Sequence, residues 1–192
     1  QMQKIALEMN LSETAFVLKS ERADFRARYF TPSFEIPLAG HPTIATIFAL
    51  LEKGVIKLTD THTAVQLELK AGVIPIDIII DERDFVRITM SQLAPKFMDI
   101  YDPAAVMPAF GLTEHDLLAN ARIQTVSTGS PQLMIPLKAL ECLRKANLHI
   151  DRYRPLLSSG DFISPHLFVM EGATRQGQTF ARHFGMPPDT YE

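Results

Sequence analysis

The chain has 192 residues, of which 46% are hydrophobic and 21% charged, with a formal net charge of −3 at pH 7. That length suits one large domain or two small ones, and that composition belongs to a globular chain and not a disordered one. Lysine and arginine form no long run, so nucleic-acid binding by phosphate neutralisation is disfavoured. The longest apolar run, around Ile44 to Leu51, is too short to span a bilayer, so no membrane partner is expected.

There is one cysteine, Cys142, so no intramolecular disulfide can form. With no signal-like N-terminal stretch, this points to a reducing, cytoplasmic compartment. The six histidines are scattered, none at the three- or four-residue spacing that puts two ligands on one helix face, so no metal site is expected.

In chain order, Met2, Ile5, Ala6 and Met9 repeat at helical spacing and predict an amphipathic helix. "TAFVL" (residues 14–18) reads as a strand. "DFRARYF" (24–30) alternates Phe25, Ala27 and Tyr29 against Arg26 and Arg28, the pattern of a half-buried strand. "TPSFEIPLAG" (31–40) reads as a loop. "HPTIATIFALLEKG" (41–54) is a helix with Pro42 in its first turn and Gly54 as its stop. Its apolar residues cover nearly every face, so it belongs inside the fold. Three short strands follow: "AVQLEL" (64–69), "VIPIDIII" (73–80) and "FVRITM" (85–90).

Punctuation thickens after Met90, and a domain boundary is expected there, giving halves 1–95 and 96–192. "PAAVMPAFG" (103–111) reads as a helix. Thr113 and Asp116 resemble a capping box. "IQTVSTG" and "LMIPL" read as strands, "KALECLRKAN" (138–147) as an amphipathic helix, and "HLFVME" and "QTFARHF" as further strands. The halves echo weakly: Arg28 to Glu35 and Arg182 to Glu192 both read R-x-F, then proline, then glutamate. The first leads into the buried helix. The second ends before one, so the chain reads as a fragment of a longer protein.

Three places carry chemistry. Gly40 and His41 open the apolar helix, where free N–H groups and the helix dipole favour an anion. Spacing alone equally allows His41 merely to start the helix. Glu13 sits where helix turns to strand. A carboxylate that moves protons near neutrality needs desolvation, which Leu11, Ala15, Phe16 and Val17 would supply. It is otherwise a solvated residue at a helix exit. Gly129 and Ser130 form either an anion nest or an ordinary turn. Cys142, beside the inward Leu143, reads as a packed side chain and not a nucleophile.

Together, "MQKIALEMNLSETAFV", "RARYFTPSFEIPLAGHPTIAT", "VSTGSPQLMIPL" and "ARHF" resemble the phenazine-biosynthesis PhzF-like family, which shares the diaminopimelate epimerase fold. The resemblance implies an α+β fold of two pseudo-symmetric halves. Each half is a mixed β barrel around a central helix, with the second helix absent from this chain. It implies a cofactor-independent isomerase that moves a proton between carbons of a small anionic substrate. Glu13 of the S-E-T motif would be the acid–base group and His41 its partner, with Ser12, Gly40, Pro42, Gly129 and Ser130 binding substrate. The founding activity isomerises a dihydro-hydroxyanthranilate without metal, flavin or nicotinamide. A homodimer is also implied.

The chain departs from the family pattern at both ends. The usual N-terminal strand is absent, Asp189 stands where glycine is usual, and a second acid would follow Glu192. The 192 residues alone are therefore expected to be catalytically impaired. The fold's epimerase branch uses two cysteines, the first of which falls on Ala39, so thiol racemisation is not expected. Two other readings stay open: a non-catalytic small-molecule binder, and a two-base epimerase using Glu13.

Overall fold

Every alternating stretch of the first half forms a strand. The computed structural model describes residues 1–82 and 86–185, so the expected strand start at Phe85 and the sequence echo at Asp189 and Glu192 lie outside the described residues. Contacts divide the chain into Gln1–Ala94 and Pro95–Glu192.

The first unit runs α1 (Met2–Met9), β1 (Thr14–Leu18), β2 (Phe25–Phe30), β3 (Glu35–Ile36), α2 (Gly40–Glu52), β4 (His62–Leu69), β5 (Gly72–Ile80) and β6 (Val86–Met90). The sheet order is β1-β2-β4-β5-β6, with β3 on β2. β2 and β4 pair in parallel, because α2 carries the chain back across the sheet between them. α2 packs against both β1 and β6, the two ends of that order, so the sheet curls around the helix. Ala27, Tyr29, Ile47, Leu67, Ile74, Ile76 and Ile78 fill the space between. Each buried isoleucine contributes roughly 1.5–3 kcal/mol of transfer free energy.

Three sequence expectations change here. The stretch expected as a loop contains β3, because Glu35 pairs with Phe30 in the ladder and binds the Arg28 guanidinium through two bonds of 2.8 and 2.9 Å. The Arg28 hydrogen bonds hold the Glu35 carboxyl below the usual carboxylate range. In α1 only Ala6 is buried, and Ile5 and Met9 are exposed. The helix is seated instead by Gln3, whose amide donates to the carbonyls of Thr31 and Pro32 at 2.9 Å each. Finally, α2 is enclosed on one side only: Thr43, Thr46 and Ile47 are buried, whereas Ala45, Phe48 and Ala49 are exposed. Among the described residues β1 and β6 do not pair, so the curl stays open beside β1.

The second unit runs β7 (Lys96–Tyr101), α3 (Pro103–Val106), two 3-10 turns (Met107–Phe110 and Glu114–Asp116), β8 (Ile123–Ser127), β9 (Pro131–Pro136), α4 (Leu140–Lys145), α5 (Ile150–Ser159), β10 (Ser164–Val169) and β11 (Phe180–His183). Its sheet order is β11-β10-β9-β8-β7. The helix expected through Gly111 tightens at Met107, since Pro108 has no N–H to donate and Gly111 takes a left-handed φ of 64°. The core gathers Phe110, Ile123, Leu133, Ile135, Leu143, Tyr153 and Leu167. Among the described residues of the whole chain, no helix is long and apolar enough to cross a membrane.

Thr113 and Asp116 do form a capping box. Asp116 also accepts from Lys145 at 2.8 Å and lies 3.5 Å from the Cys142 sulfur. Burial alone would raise its carboxyl, but Lys145, Thr113 and Cys142 together hold it well below the ordinary value of 3.8. A carboxyl depressed on folding stabilises above its unfolded value and loses that contribution as pH falls. Asp116→Asn should therefore lower stability at neutral pH by about 1–3 kcal/mol, the usual result of breaking a buried hydrogen-bond set. The gap to the parent should begin to narrow below about pH 3.8 and go on narrowing as the pH falls further, measured by urea unfolding across pH.

Candidate active site

The β1–β2 ladder sets which side chains face α2. Ala15 lies opposite Tyr29 and Val17 opposite Ala27, so Glu13, Ala15 and Val17 share the inner face. Phe16 alternates to the other face and meets Phe30 edge-on, with centroids 5.6 Å apart. It does not join the apolar wall expected around Glu13. The approach to Glu13 is fixed by Asn10, which ends α1 in a left-handed conformation.

Across the open side of the curl stands the start of α2. His41 Nε2 lies 2.8 Å from Glu13 Oε2. The Glu13 side chain is only 12% exposed, whereas that of His41 is 76% exposed. The contact holds one proton. With Glu13 ionised, Nε2–H donates to it; with Glu13 protonated, the direction reverses.

The pair sits at one end of a cleft of about 500 Å³. Ser12 just before β1 and Ala15 and Val17 on it line one side, and Pro42, Ala45 and Ala49 of α2, with Lys53 just past its end, line the other. The expected residue Pro42 lines the cleft, and so do Ala45, Ala49 and Lys53, which no motif marks although they follow His41 at four-residue steps along one helix face. The cleft therefore has a polar head, a small-residue apolar floor and a cation at the far end. Gly129 and Ser130 belong to the second unit, in the turn joining β8 to β9, where Gly129 N–H donates to Ser127 Oγ at 3.1 Å. Cys142 is buried, and burial followed by the neighbouring Asp116 raises its thiol, as suits a packed group.

A profile of the family described as phenazine biosynthesis-like protein (PhzC-PhzF) matches residues 1–190. The chain belongs to this family. It is 35% identical over 189 residues to the "uncharacterized isomerase YfhB" of Bacillus subtilis, covering 97% of this chain and 63% of that relative. It is 30% identical to the trans-2,3-dihydro-3-hydroxyanthranilate isomerase of Pseudomonas fluorescens, covering 98% of this chain and 63% of that enzyme. The crystal structure of a PhzF-family protein from Bacillus anthracis superposes with a TM-score of 0.80 at 33% identity, covering 98% of this chain and 62% of that one. The chain thus spans less than two-thirds of the length of these PhzF relatives, and its α+β fold with curled sheets is theirs.

Within this PhzF fold, Gly40 is not a conformational necessity. A Cβ built there would meet nothing within 4 Å. Gly40 is exposed and precedes His41, but it is not among the residues that line the cleft. Gly40→Ala should fold normally, with stability raised by up to about 1 kcal/mol, since glycine costs a helix roughly that much. A thermal melt of the variant beside the parent measures the change.

Proposed function

We propose that this chain carries the proton-transferring site of a PhzF-type isomerase acting on a small carboxylate-bearing substrate. The observation that carries the proposal is the 2.8 Å contact between a sheltered carboxylate, Glu13, and an exposed imidazole, His41, at a helix start that faces a cleft. The substrate carboxylate docks on the first-turn N–H groups of Gly40 and His41, which have no carbonyl one turn behind them. Glu13 takes a proton from one substrate carbon, the electrons shift along the conjugated system, and the same proton or its exchange partner returns to another carbon. His41 orients the carboxylate and offers its N–H to charge that develops on the substrate. Ser12 and Pro42 line the same end of the cleft.

The reading extends to the second unit. There Gly129 and Ser130 contribute to substrate binding, and the two units are related halves of the fold. Arg28 stacks over Phe30 at 5.1 Å in the first unit, and Arg182 over Phe184 at 4.8 Å in the second. Both arginines lie on the second strand of an antiparallel hairpin, β1–β2 and β10–β11. A cytoplasmic homodimer needing no cofactor completes the reading on the strength of the family resemblance.

The docking step is tested by titrating isotope-labelled protein with anthranilate, a ring carboxylate, and following the amide resonances of Gly40 and His41. Saturable shifts centred on these two amides are expected. Shifts elsewhere, or none, would contradict the placement.

A further inference from the structure

The start of α2 lacks the usual device for fixing a helix N-terminus. Its cap residue, Ala39, has no side-chain oxygen and makes no capping bond. Serine or aspartate at a cap position normally accepts from the second or third N–H of the helix. Here the third residue is Pro42, which has no N–H. A capping side chain at position 39 would therefore take the His41 N–H, one of the two donors that the proposed function assigns to the substrate.

The helix is held from inside instead. Thr43 Oγ1 lies 2.7 Å from the Ala39 carbonyl and 3.0 Å from the Tyr29 hydroxyl. A carbonyl can only accept, so the single Thr43 proton goes to Ala39, and Tyr29 O–H donates to Thr43. Thr46 Oγ1 repeats the arrangement one turn on, bonding to the Pro42 carbonyl at 2.6 Å. Tyr29 and Thr43 are buried at 1% and 0% exposure, so water does not compete for these bonds. Burial also keeps the Tyr29 hydroxyl protonated, as a donor must be.

We propose that Tyr29 and Thr43 are positioning residues for the Glu13–His41 pair. They replace the missing cap from the core side, fixing the first turn of α2 while leaving the Gly40 and His41 N–H groups to the ligand. Tyr29 sits on β2, opposite Ala15 of β1. The same tether therefore ties the helix that carries His41 to the strand pair that carries Glu13. The proposal rests on reading that pair as the reacting site.

The test reads geometry and not turnover, so the two readings fail separately. In the 192-residue chain, the nuclear Overhauser contact between the His41 ring and the Glu13 γ-methylene is measured in Thr43→Val, Thr43→Ser, Tyr29→Phe and Ile76→Val. Ile76 is fully buried on β5 and outside the tether, so its truncation loosens the same core without touching these bonds. The contact should fall to less than half its parent intensity in Thr43→Val, weaken in Tyr29→Phe, and persist in Thr43→Ser, which keeps the hydroxyl. Ile76→Val should lower the melting temperature and leave the contact intact. If Thr43→Val does not fold, Tyr29→Phe against Thr43→Ser carries the same comparison. An unchanged contact in Tyr29→Phe and Thr43→Val, or an equal loss in Ile76→Val, overturns the proposal. Missing turnover in the natural-length protein, with the contact intact, would instead count against the acid–base reading alone.

Discussion

Glu13→Gln is expected to lower turnover by about 10²–10⁴-fold in the protein at its natural length, the usual contribution of a positioned acid–base group. Glutamine has the same shape, and its amide oxygen still accepts from His41 Nε2–H, so the cleft should survive. What is lost is the proton carrier. Turnover should therefore fall with KM nearly unchanged, the signature of an interaction made in the transition state. Glu13→Asp should lie between, because a side chain shorter by one methylene draws back from the 2.8 Å contact with His41. Steady-state kinetics on the dihydro-hydroxyanthranilate, with a thermal melt of each variant, separates the outcomes. Full activity in Glu13→Gln would remove Glu13 from the chemistry. A collapsed melt would make it structural.

The second large effect is on the helix beneath the site. Ile47 is fully buried between α2 and the sheet, whereas Phe48, the next residue, is 51% exposed. Ile47→Ala removes buried methyl groups and leaves a cavity, which costs about 2–5 kcal/mol. Against a typical domain stability of about 5–15 kcal/mol, that takes a large share of the first unit's margin. Phe48→Ala should stay within about 0.5 kcal/mol, as surface changes do. Urea unfolding of both variants measures the asymmetry directly. Equal losses would mean that α2 is enclosed on both sides.

That asymmetry marks where the sequence stops being informative. Pro42 and Gly54 bracket α2 legibly, and Ala27 and Tyr29 declare the inner face of β2 by alternation. Composition around Ile47 and Phe48 says only that both are apolar. Which one meets the sheet depends on where the curl ends, a long-range property of strand pairing. α5 escaped notice for a local reason: Asp151, Arg152, Arg154 and an internal Pro155 mask the spacing of Ile150, Tyr153 and Leu157. β3 escaped because its two residues are held by Arg28, seven positions before Glu35.

The site divides in the same way. The S-E-T and G-H motifs picked out Glu13 and His41 through family resemblance, since spacing alone allowed a solvated charge and a plain helix start. Their contact joins residues 28 positions apart, which no local pattern encodes. The alternation rule would have removed Phe16 from the wall around Glu13, because only Glu13, Ala15 and Val17 share a face. The Tyr29–Thr43 tether was invisible because a threonine inside an apolar helix reads as filler until its hydroxyl partners are seen.

The central claim is that Glu13 moves a proton between the substrate and the site. The most direct measurement incubates the natural-length protein with trans-2,3-dihydro-3-hydroxyanthranilate in deuterium oxide and follows each ring position by proton NMR. The account predicts deuterium at the carbon that gains the proton, with isomerised product, and neither in Glu13→Gln. Isomerisation that proceeds equally in Glu13→Gln, or saturable binding with no exchange at any carbon, would contradict it.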